Sequence, residues 1–241
     1  RSSLLSAVSH DLRTPLATIT GAGTALRDDS GRLDPGQRAK AKITKIFEFT
    51  GLGTRETDSA VAGNIVGMVN LYEAARRHGV KRIVFASSNH VTGFYRQDEV
   101  IDTEAPVRPD GYYGLSKSYG EDLSRFYFDR YGIETACLRI GSSFAEPKDR
   151  RMLATWLSFD DLHRLISACL STPVLGHSII FGMSDNAVTW WDNSRARHIG
   201  YVPQDSSDVF REAVYARTSA PDLNDPAAVY QGGAFVKAGP F

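Results

Sequence analysis

The sequence predicts an α/β protein with a doubly wound, mostly parallel β-sheet. The run at residues 81–87 is almost continuously apolar and contains β-branched side chains, which is typical of a strand buried on both faces. Residues 134–140 and 177–182 predict two further strands. Helical patterns separate the three runs. Strands that alternate with helices favour parallel pairing, because the helix carries the chain back to the starting edge of the sheet.

The predicted helices have recognisable beginnings and ends. Helical patterns occur at residues 64–77, 113–131, 158–170 and 209–215. The pair His78–Gly79 should end the first helix, and Gly132 should end the second. Ser158 and Asp161 match a capping box, which predicts the start of the third. The run at residues 43–49 is a further candidate strand.

The composition excludes several functional classes. The 241 residues include 28 Lys+Arg and 28 Asp+Glu, so the formal net charge is zero. A neutral chain lacks the electrostatic attraction that draws proteins to nucleic acid or to an anionic membrane surface. No apolar run approaches the roughly 20 residues that a membrane-spanning helix needs. We therefore expect no nucleic-acid partner and no membrane partner.

The cysteines and the first residues predict a cytoplasmic location. Cys137 and Cys169 fall in a predicted strand and a predicted helix, without the spacing of a metal or redox motif. They are expected to be buried free thiols in a reducing compartment. The sequence begins with Arg-Ser-Ser and shows no signal-peptide pattern.

Tyr113 and Lys117 are the first candidates for catalytic chemistry. They stand four residues apart in a predicted helix and should share one face. A phenol has a pKa near ~10 and is a poor base at neutral pH. A nearby lysine ammonium lowers that pKa, so the pair could take a proton from a substrate hydroxyl. The alternative is a packed tyrosine beside a solvated lysine, and the pair by itself favours that alternative.

Polar residues after the first buried strand favour the catalytic interpretation. The strand at residues 81–87 leads directly into the run Ser87-Ser88-Asn89-His90. In open α/β sheets, ligands bind outside the carboxyl ends of the strands. A serine at this point can form a hydrogen bond with a substrate oxygen.

A strand that ends in serine, followed by Tyr-x-x-x-Lys on the next helix, resembles the extended short-chain dehydrogenases of the NAD-dependent epimerase/dehydratase family. The resemblance narrows to the uronate dehydrogenases and extends from about Asn64 to the C-terminus. It depends on six motifs in order, which are SSNH at 87–90, YGLSK at 113–117, RIGS at 139–142, RMLATW at 151–156, WWDN at 190–193 and QGGAFV at 231–236. The resemblance implies a Rossmann-like fold.

The resemblance implies catalytic and cofactor roles for four residues. Tyr113 would be the catalytic base, and Lys117 would lower its pKa and hold the cofactor ribose. Ser88 would steady the substrate oxygen, and Ile140 would contact the cofactor, NAD, together with Tyr113 and Lys117. The implied reaction oxidises a hexuronate, galacturonate or glucuronate, to an aldaric acid lactone by hydride transfer to NAD⁺.

The resemblance also implies a binding site for a small sugar acid. Arg151 matches the arginine that binds the substrate carboxylate, and a planar guanidinium can bind a carboxylate through two hydrogen bonds. Asn89, His90 and Ser142 match substrate-contacting positions, and Phe235 matches a wall of the pocket. His90 is expected to donate a hydrogen bond to a sugar hydroxyl, and no metal is expected, because no second ligand stands at metal-binding spacing. The resemblance leaves a homo-oligomer open.

Residues 1–61 differ from the rest and are predicted to form an atypical head, with residues 62–241 forming the catalytic and substrate part. The run SHDLRTPL at residues 9–16 resembles the phosphoacceptor box of sensor histidine kinases. That resemblance implies phosphorylation of His10, with Asp11 orienting its imidazole. No boxes of an ATP-binding domain accompany the motif, so we favour an amphipathic helix in which the motif is unused. The first, cofactor half of the fold would then be missing or replaced by this helical segment.

The same region allows a competing interpretation. Residues 16–20 could be a strand, and residues 20–26 (TGAGTAL) the loop that binds a pyrophosphate. That loop needs three glycines for a tight turn and a close backbone approach, and here the third glycine and the later acid are both missing. We therefore expect this chain to bind NAD⁺ poorly. Three hypotheses remain: a uronate dehydrogenase with an aberrant head, an inactive remnant of one, or a histidine-kinase dimerisation fragment.

Overall fold

The structure is a computed structural model that describes residues 45–48 and 61–238. Strands β1 to β6 are Lys45–Glu48, Arg82–Ser88, Ile101–Asp102, Glu134–Ile140, His177–Gly182 and Trp191–Asp192. Helices α1 to α6 are Gly67–Arg77, Tyr112–Tyr131, Met152–Thr155, Phe159–Ser171, Arg211–Arg217 and Pro226–Val229. A π-helical segment, Val61–Val66, leads into α1, and the 3₁₀-helices are Asn89–Thr92, Ser194–Ile199, Ser207–Phe210 and Gly233–Lys237.

The main sheet is parallel, with the strand order β1-β2-β4-β5. In its register, Phe85 of β2 lies beside Cys137 of β4, and Cys137 lies beside Ile179 of β5. The strands predicted from the apolar runs are confirmed within one residue at each end. The candidate strand at residues 43–49 is confirmed as β1, which pairs in parallel with β2.

Helices α1 and α2 cover one face of the sheet. Ile83 and Phe85 of β2 point to this face, where they pack in one buried cluster with Met68 and Tyr72 of α1 and with Tyr127 of α2. Burying an apolar side chain of this size stabilises a fold by roughly 1.5–3 kcal/mol. The cluster therefore fixes both helices against β2, and α2 carries two of the predicted catalytic residues.

Helix α4 covers the opposite face. Val84 and Leu138 belong to this second cluster, together with Ile180 of β5 and with Leu165 and Ile166 of α4. Consecutive strand residues thus alternate between two buried faces, as the period of two in a β-strand requires. This arrangement confirms the doubly wound architecture for the part of the chain that is described.

The two cysteines are buried free thiols, as predicted. Cys137 lies within β4, and Cys169 lies near the end of α4. Burial raises the pKa of the Cys169 thiol to about 12 and raises the pKa of Cys137 above its usual range. Both side chains therefore behave as small apolar groups of the core.

The helix ends follow the sequence signals, with one correction. Gly132 ends α2 in the left-handed conformation, at a φ of +67°. Ser158 caps α4, because its Oγ accepts a hydrogen bond from the backbone N–H of Asp161. The predicted capping box is only half formed. The Asp161 carboxylate accepts from the backbone N–H groups of Gln204 and Asp205 instead of returning to Ser158.

Short elements outside the main sheet were not predicted. Strands β3 and β6 contain two residues each and pair in parallel. The predicted helix at residues 209–215 is found two residues later as α5, after a 3₁₀ turn. Among the described residues, no helix combines the length and the apolar character of a membrane span. The predictions for His10 and for residues 16–26 lie outside the described residues, and the boundary between residues 61 and 62 stays a prediction.

A buried ion pair ties α2 to the sheet. Arg139 of β4 donates to both carboxylate oxygens of Glu121, at 3.0 and 2.8 Å. Ser87 of β2 donates to the same carboxylate at 2.6 Å. Arg139 is 1% exposed and Glu121 is 4% exposed, so neither charge can exchange its partner for water. Breaking such a pair leaves a buried charge uncompensated.

We expect Glu121→Ala to lower the free energy of unfolding by roughly 3–5 kcal/mol, because Arg139 would remain buried without its carboxylate. Asp129→Ala is the matched control on the same helix, since it removes an exposed pair with Arg125. Exposed pairs contribute about 0–1 kcal/mol. Urea denaturation of both variants measures the difference. Equal losses would show that the buried pair has no special role in stability.

Candidate active site

All nine residues predicted for the site line one cavity of about 370 Å³. The cavity lies at the carboxyl ends of β2 and β4, where ligands bind in open α/β sheets. Its lining includes Ser88, Asn89, His90, Tyr113, Lys117, Ile140, Ser142, Arg151 and Phe235. These residues span nearly 150 positions of the sequence, so the fold brings them together.

Strand β2 delivers the first group of polar residues. Ser88 is the last residue of the strand, and its Oγ accepts a hydrogen bond from the backbone N–H of His90 at 3.2 Å. This bond caps the 3₁₀-helix Asn89–Thr92 and turns the chain across the mouth of the cavity. Ser88 is 5% exposed, so its hydroxyl faces the cavity rather than bulk water.

Helix α2 places Tyr113 and Lys117 on the cavity side, four residues apart. The Lys117 ammonium is 1% exposed, and its Nζ donates to the backbone carbonyl of Ala86 at 2.9 Å. Its Nζ lies 5.8 Å from the centroid of the Tyr113 ring. The predicted alternative of a solvated lysine is therefore wrong.

The start of α2 approaches the β2 turn too closely for a side chain. A Cβ added to Gly114 would lie 2.2 Å from the backbone carbonyl oxygen of His90. Only glycine allows this contact, which sets the distance between the Tyr113 turn of the helix and the His90 turn of the chain. The Tyr113 and His90 rings meet edge to face, with centroids 5.8 Å apart.

Asp110 is a site residue that the sequence analysis missed. Its Oδ2 lies 2.6 Å from Nδ1 of His90, and its side chain is fully buried. In the sequence it stands in Arg-Pro-Asp-Gly at residues 108–111, a pattern that we interpreted only as a loop. A buried aspartate two residues before α2 would have been the signal, but its burial is not visible in the sequence.

Asn89 connects Arg151 to the end of β4. In the amide orientation that satisfies its neighbours, its oxygen accepts from Nη2 of Arg151 at 3.0 Å. Its nitrogen donates to the backbone carbonyl of Ile140 at 3.1 Å. The amide therefore has a defined orientation and holds one edge of the guanidinium.

Arg151 is held from a second side by the C-terminal segment. Its Nε donates to the backbone carbonyl of Gln231 at 2.7 Å. Burial lowers the pKa of the guanidinium, while the charges of Asp149 and Asp110 raise it. An arginine stays protonated in proteins even so. The site thus contains a fixed positive charge that lines the cavity.

Ser142 closes the cavity at the end of β4. Its Oγ lies 2.9 Å from Oγ1 of Thr155, and its backbone N–H donates to the carbonyl of the same residue. The neighbouring hydroxyl of Ser143 is buried and has no partner among the described residues. Both serines line the cavity, so it offers hydroxyl groups close to Arg151.

The C-terminal segment lines the cavity with Gly232, Ala234 and Phe235. The backbone N–H groups of Gln231 and Gly232 donate to Tyr95 and Gly93, which attaches the segment to the loop after β2. Phe235 then stacks on the His90 ring, with centroids 3.8 Å apart. The predicted wall is therefore found beside the predicted polar residue.

Two family models match the chain. The NAD dependent epimerase/dehydratase family matches residues 47–159, and the His Kinase A (phospho-acceptor) domain matches residues 1–45. The second match agrees with the phosphoacceptor motif around His10. The first covers β2, α2 and β4, which together with the residues after β4 supply most of the cavity lining.

Similar proteins extend the match to most of the chain. Uronate dehydrogenase from Pseudomonas putida is 60% identical over 200 residues, which cover 83% of this chain and 74% of that protein. Uronate dehydrogenase from Pseudomonas syringae pv. tomato is 53% identical over 241 aligned residues, covering 97% of this chain and 86% of that protein.

A solved structure gives the same relationship and the cofactor of its protein. A mutant of uronate dehydrogenase from Agrobacterium tumefaciens, crystallised in complex with NAD, superposes with a TM-score of 0.73 at 39% identity. The superposition covers 88% of this chain and 92% of that one. The chain therefore belongs to the uronate dehydrogenases, NAD-dependent enzymes of the NAD-dependent epimerase/dehydratase family.

Proposed function

We propose that residues 62–241 contain the machinery for NAD-dependent oxidation of a hexuronate, galacturonate or glucuronate, to an aldaric acid lactone. One observation supports this most directly. A tyrosine and a buried lysine on one helix face share a cavity with a fixed arginine. Tyr113 and Lys117 can remove a proton from a hydroxyl, and Arg151 can bind a carboxylate.

Tyr113 is the catalytic base in this proposal. Oxidation of the sugar removes a hydride from its anomeric carbon and a proton from the hydroxyl on that carbon. The phenolate oxygen of Tyr113 takes the proton, and the buried ammonium of Lys117 favours the phenolate because the two charges are opposite. Ser88, beside them in the cavity, donates a hydrogen bond to the substrate oxygen.

The described residues fit one end of the cofactor. Lys117, Tyr113 and Ile140 line the cavity, and the buried unpartnered hydroxyl of Ser143 adds a polar group that a ligand could satisfy. The two side chains on α2 and the end of β4 would hold the nicotinamide and its ribose. When bound, NAD⁺ accepts the hydride. The candidate pyrophosphate loop at residues 20–26 lies outside the described part of the chain.

The substrate carboxylate binds Arg151 in this proposal. Asn89 and Gln231 hold Nη2 and Nε, so the guanidinium is oriented before the sugar arrives. A pre-oriented group loses little conformational freedom on binding. His90 and Ser142 contact sugar hydroxyls, and Phe235 forms an apolar wall.

The buried cysteines bear on where the protein is found. Buried free thiols suit a reducing compartment, and we propose the cytoplasm. The partner is a small sugar acid, and a homo-oligomer stays a prediction. The motif around His10 keeps a phosphoacceptor role as the second candidate, favoured by the family model that matches residues 1–45.

The first prediction concerns NAD⁺. We expect the full chain to bind NAD⁺ poorly, because residues 20–26 lack one loop glycine and pyrophosphate needs backbone N–H groups at a helix N-terminus. Replacing residues 1–61 with an intact strand–loop–helix half from a related dehydrogenase should restore binding and uronate oxidation. Calorimetric titration of both proteins tests this. Micromolar binding by the unmodified chain would show that its head is a disguised cofactor half.

Tyr113→Phe should abolish most turnover in any form of the protein that oxidises uronates. Loss of a general base typically costs on the order of 10²–10⁴-fold in rate. Tyr112→Phe is the matched control, since this neighbouring tyrosine is 45% exposed. Initial rates with galacturonate and NAD⁺ give the comparison. A Tyr113→Phe enzyme that keeps more than about a tenth of the rate would exclude this residue as the base.

Arg151→Ala should weaken the binding of a uronate far more than the binding of the corresponding neutral aldose. A hydrogen bond to a charged group contributes ~1.5–3 kcal/mol, which is roughly 10- to 150-fold in affinity. Arg150→Ala is the control for a nearby positive charge, because that side chain binds Thr218 instead. The ratio of the two KM values is the measurement. Equal losses for both sugars would contradict the carboxylate role.

A further inference from the structure

Asp110 is a buried carboxylate whose hydrogen bonds do not account for the free energy that its burial costs. Its side chain is fully buried, and only Oδ2 has a partner, Nδ1 of His90 at 2.6 Å. Its Oδ1 is buried without a hydrogen bond to any described residue. Leaving a buried acceptor unsatisfied costs free energy, more for a charged group. A carboxylate kept in such a place needs another reason to be there.

Two glycines make room for this carboxylate. A Cβ on Gly93 or on Gly232 would lie 2.0 Å from Oδ2 of Asp110. Both glycines have φ values of −64° and −68°, which any residue can adopt, so their backbone conformation does not call for glycine. Glycine is needed at both positions because Asp110 approaches them too closely for a Cβ. The loop after β2 and the C-terminal segment thus both leave space for the same oxygen.

The described contacts of His90 leave one ring nitrogen, Nε2, for a ligand. Asp110 binds Nδ1, Phe235 stacks on one face, and Tyr113 meets the ring edge to face. No group in residues 45–48 or 61–238 hydrogen-bonds to Nε2. His90 lines the cavity, so Nε2 is the polar atom that it can offer there.

We propose that Asp110 is a positioning residue that keeps a proton on Nδ1 of His90 and so directs Nε2 to the sugar hydroxyls. An ionised carboxylate can only accept hydrogen bonds, so Nδ1 must donate in every state of the ring. A partner at one ring nitrogen fixes the role of the other. The sugar-binding part of this inference rests on the proposed function, whereas the state of the ring does not.

The test is an NMR spectrum of the full chain labelled with ¹⁵N-histidine, with the His90 signals assigned by His90→Gln. We expect a proton bonded to Nδ1 and a strongly deshielded N–H signal. Asp110→Asn replaces the acceptor with an amide that can also donate, so this signal should shift or disappear. Gly232→Ala should have the same effect, because its Cβ displaces Asp110.

Gly111→Ala is the matched control beside Asp110, since a Cβ there has no atom within 4 Å. It should leave the His90 signals unchanged. An Nδ1 without a proton in the wild-type chain overturns the inference, and so does an Asp110→Asn spectrum with both ring nitrogens unchanged. A thermal unfolding curve for each variant separates loss of the fold from loss of the contact.

Turnover provides a second readout. In Asp110→Asn, KM for galacturonate should rise roughly tenfold while kcat changes less, because the affected ring binds substrate and does not take the proton. A fall in kcat with an unchanged KM would contradict a positioning role through the sugar. If the full chain shows no turnover, the same comparison is made in the protein with residues 1–61 replaced. No turnover there would count against the proposed function, and the imidazole spectrum would still decide the role of Asp110.

Discussion

The site depends on how tightly α2 is held against the end of β2. Lys117 reaches the carbonyl of Ala86, and four residues later Glu121 takes hydrogen bonds from β2 and β4. Gly114 has no Cβ, which lets the start of α2 approach the backbone carbonyl of His90 after β2. Because the three contacts lie along one face of a single helix, they leave Tyr113 little freedom to move. The proposed role of Tyr113 as a base needs that restriction, since small errors in the position of a reacting group cost rate.

The C-terminal segment connects Arg151 and His90 to α2 and the end of β2. Gln231 contributes its carbonyl to Arg151, while its side chain accepts from the indole of Trp191 and donates to the loop after β2. The next residue leaves space for Asp110, and Phe235 stacks on His90. One short segment thus orients a cation that suits a carboxylate and packs against a ring that suits hydroxyls. Under the proposed function, changes in this segment should therefore alter substrate recognition before they alter the positions of Tyr113 and Lys117.

Much of this architecture could be predicted from the sequence, for physical reasons that also explain the failures. Buried strands and amphipathic helices produce periodic patterns, so β2, β4, β5 and α2 were found within a residue or two. Tyr113 and Lys117 stood out by their helical spacing and the serines after β2 by their place at a strand end, whereas Arg151 and Phe235 were found only through the family resemblance. Strands β3 and β6 have two residues each, too few for any period to appear. Asp110 was missed because its contact with His90 depends on burial and on space left by Gly93 and Gly232. The residues next to Asp110 in the sequence give no sign of either.

A dehydrogenase needs both a site for chemistry at the sugar and a site that binds the dinucleotide. In this chain, the described residues supply the first of these. Chemistry at the sugar needs a base, an ammonium, a hydroxyl and a guanidinium, and all four line a cavity built by β2, α2, β4 and the segments after them. Affinity for a dinucleotide needs backbone N–H groups at a glycine-rich turn, which a doubly wound fold takes from its first half. Among the described residues, the sheet has α1 and α2 on one face and α4 on the other. Replacement of the head can therefore alter cofactor affinity, while the described contacts that hold α2 against β2 involve residues from Asn64 onward.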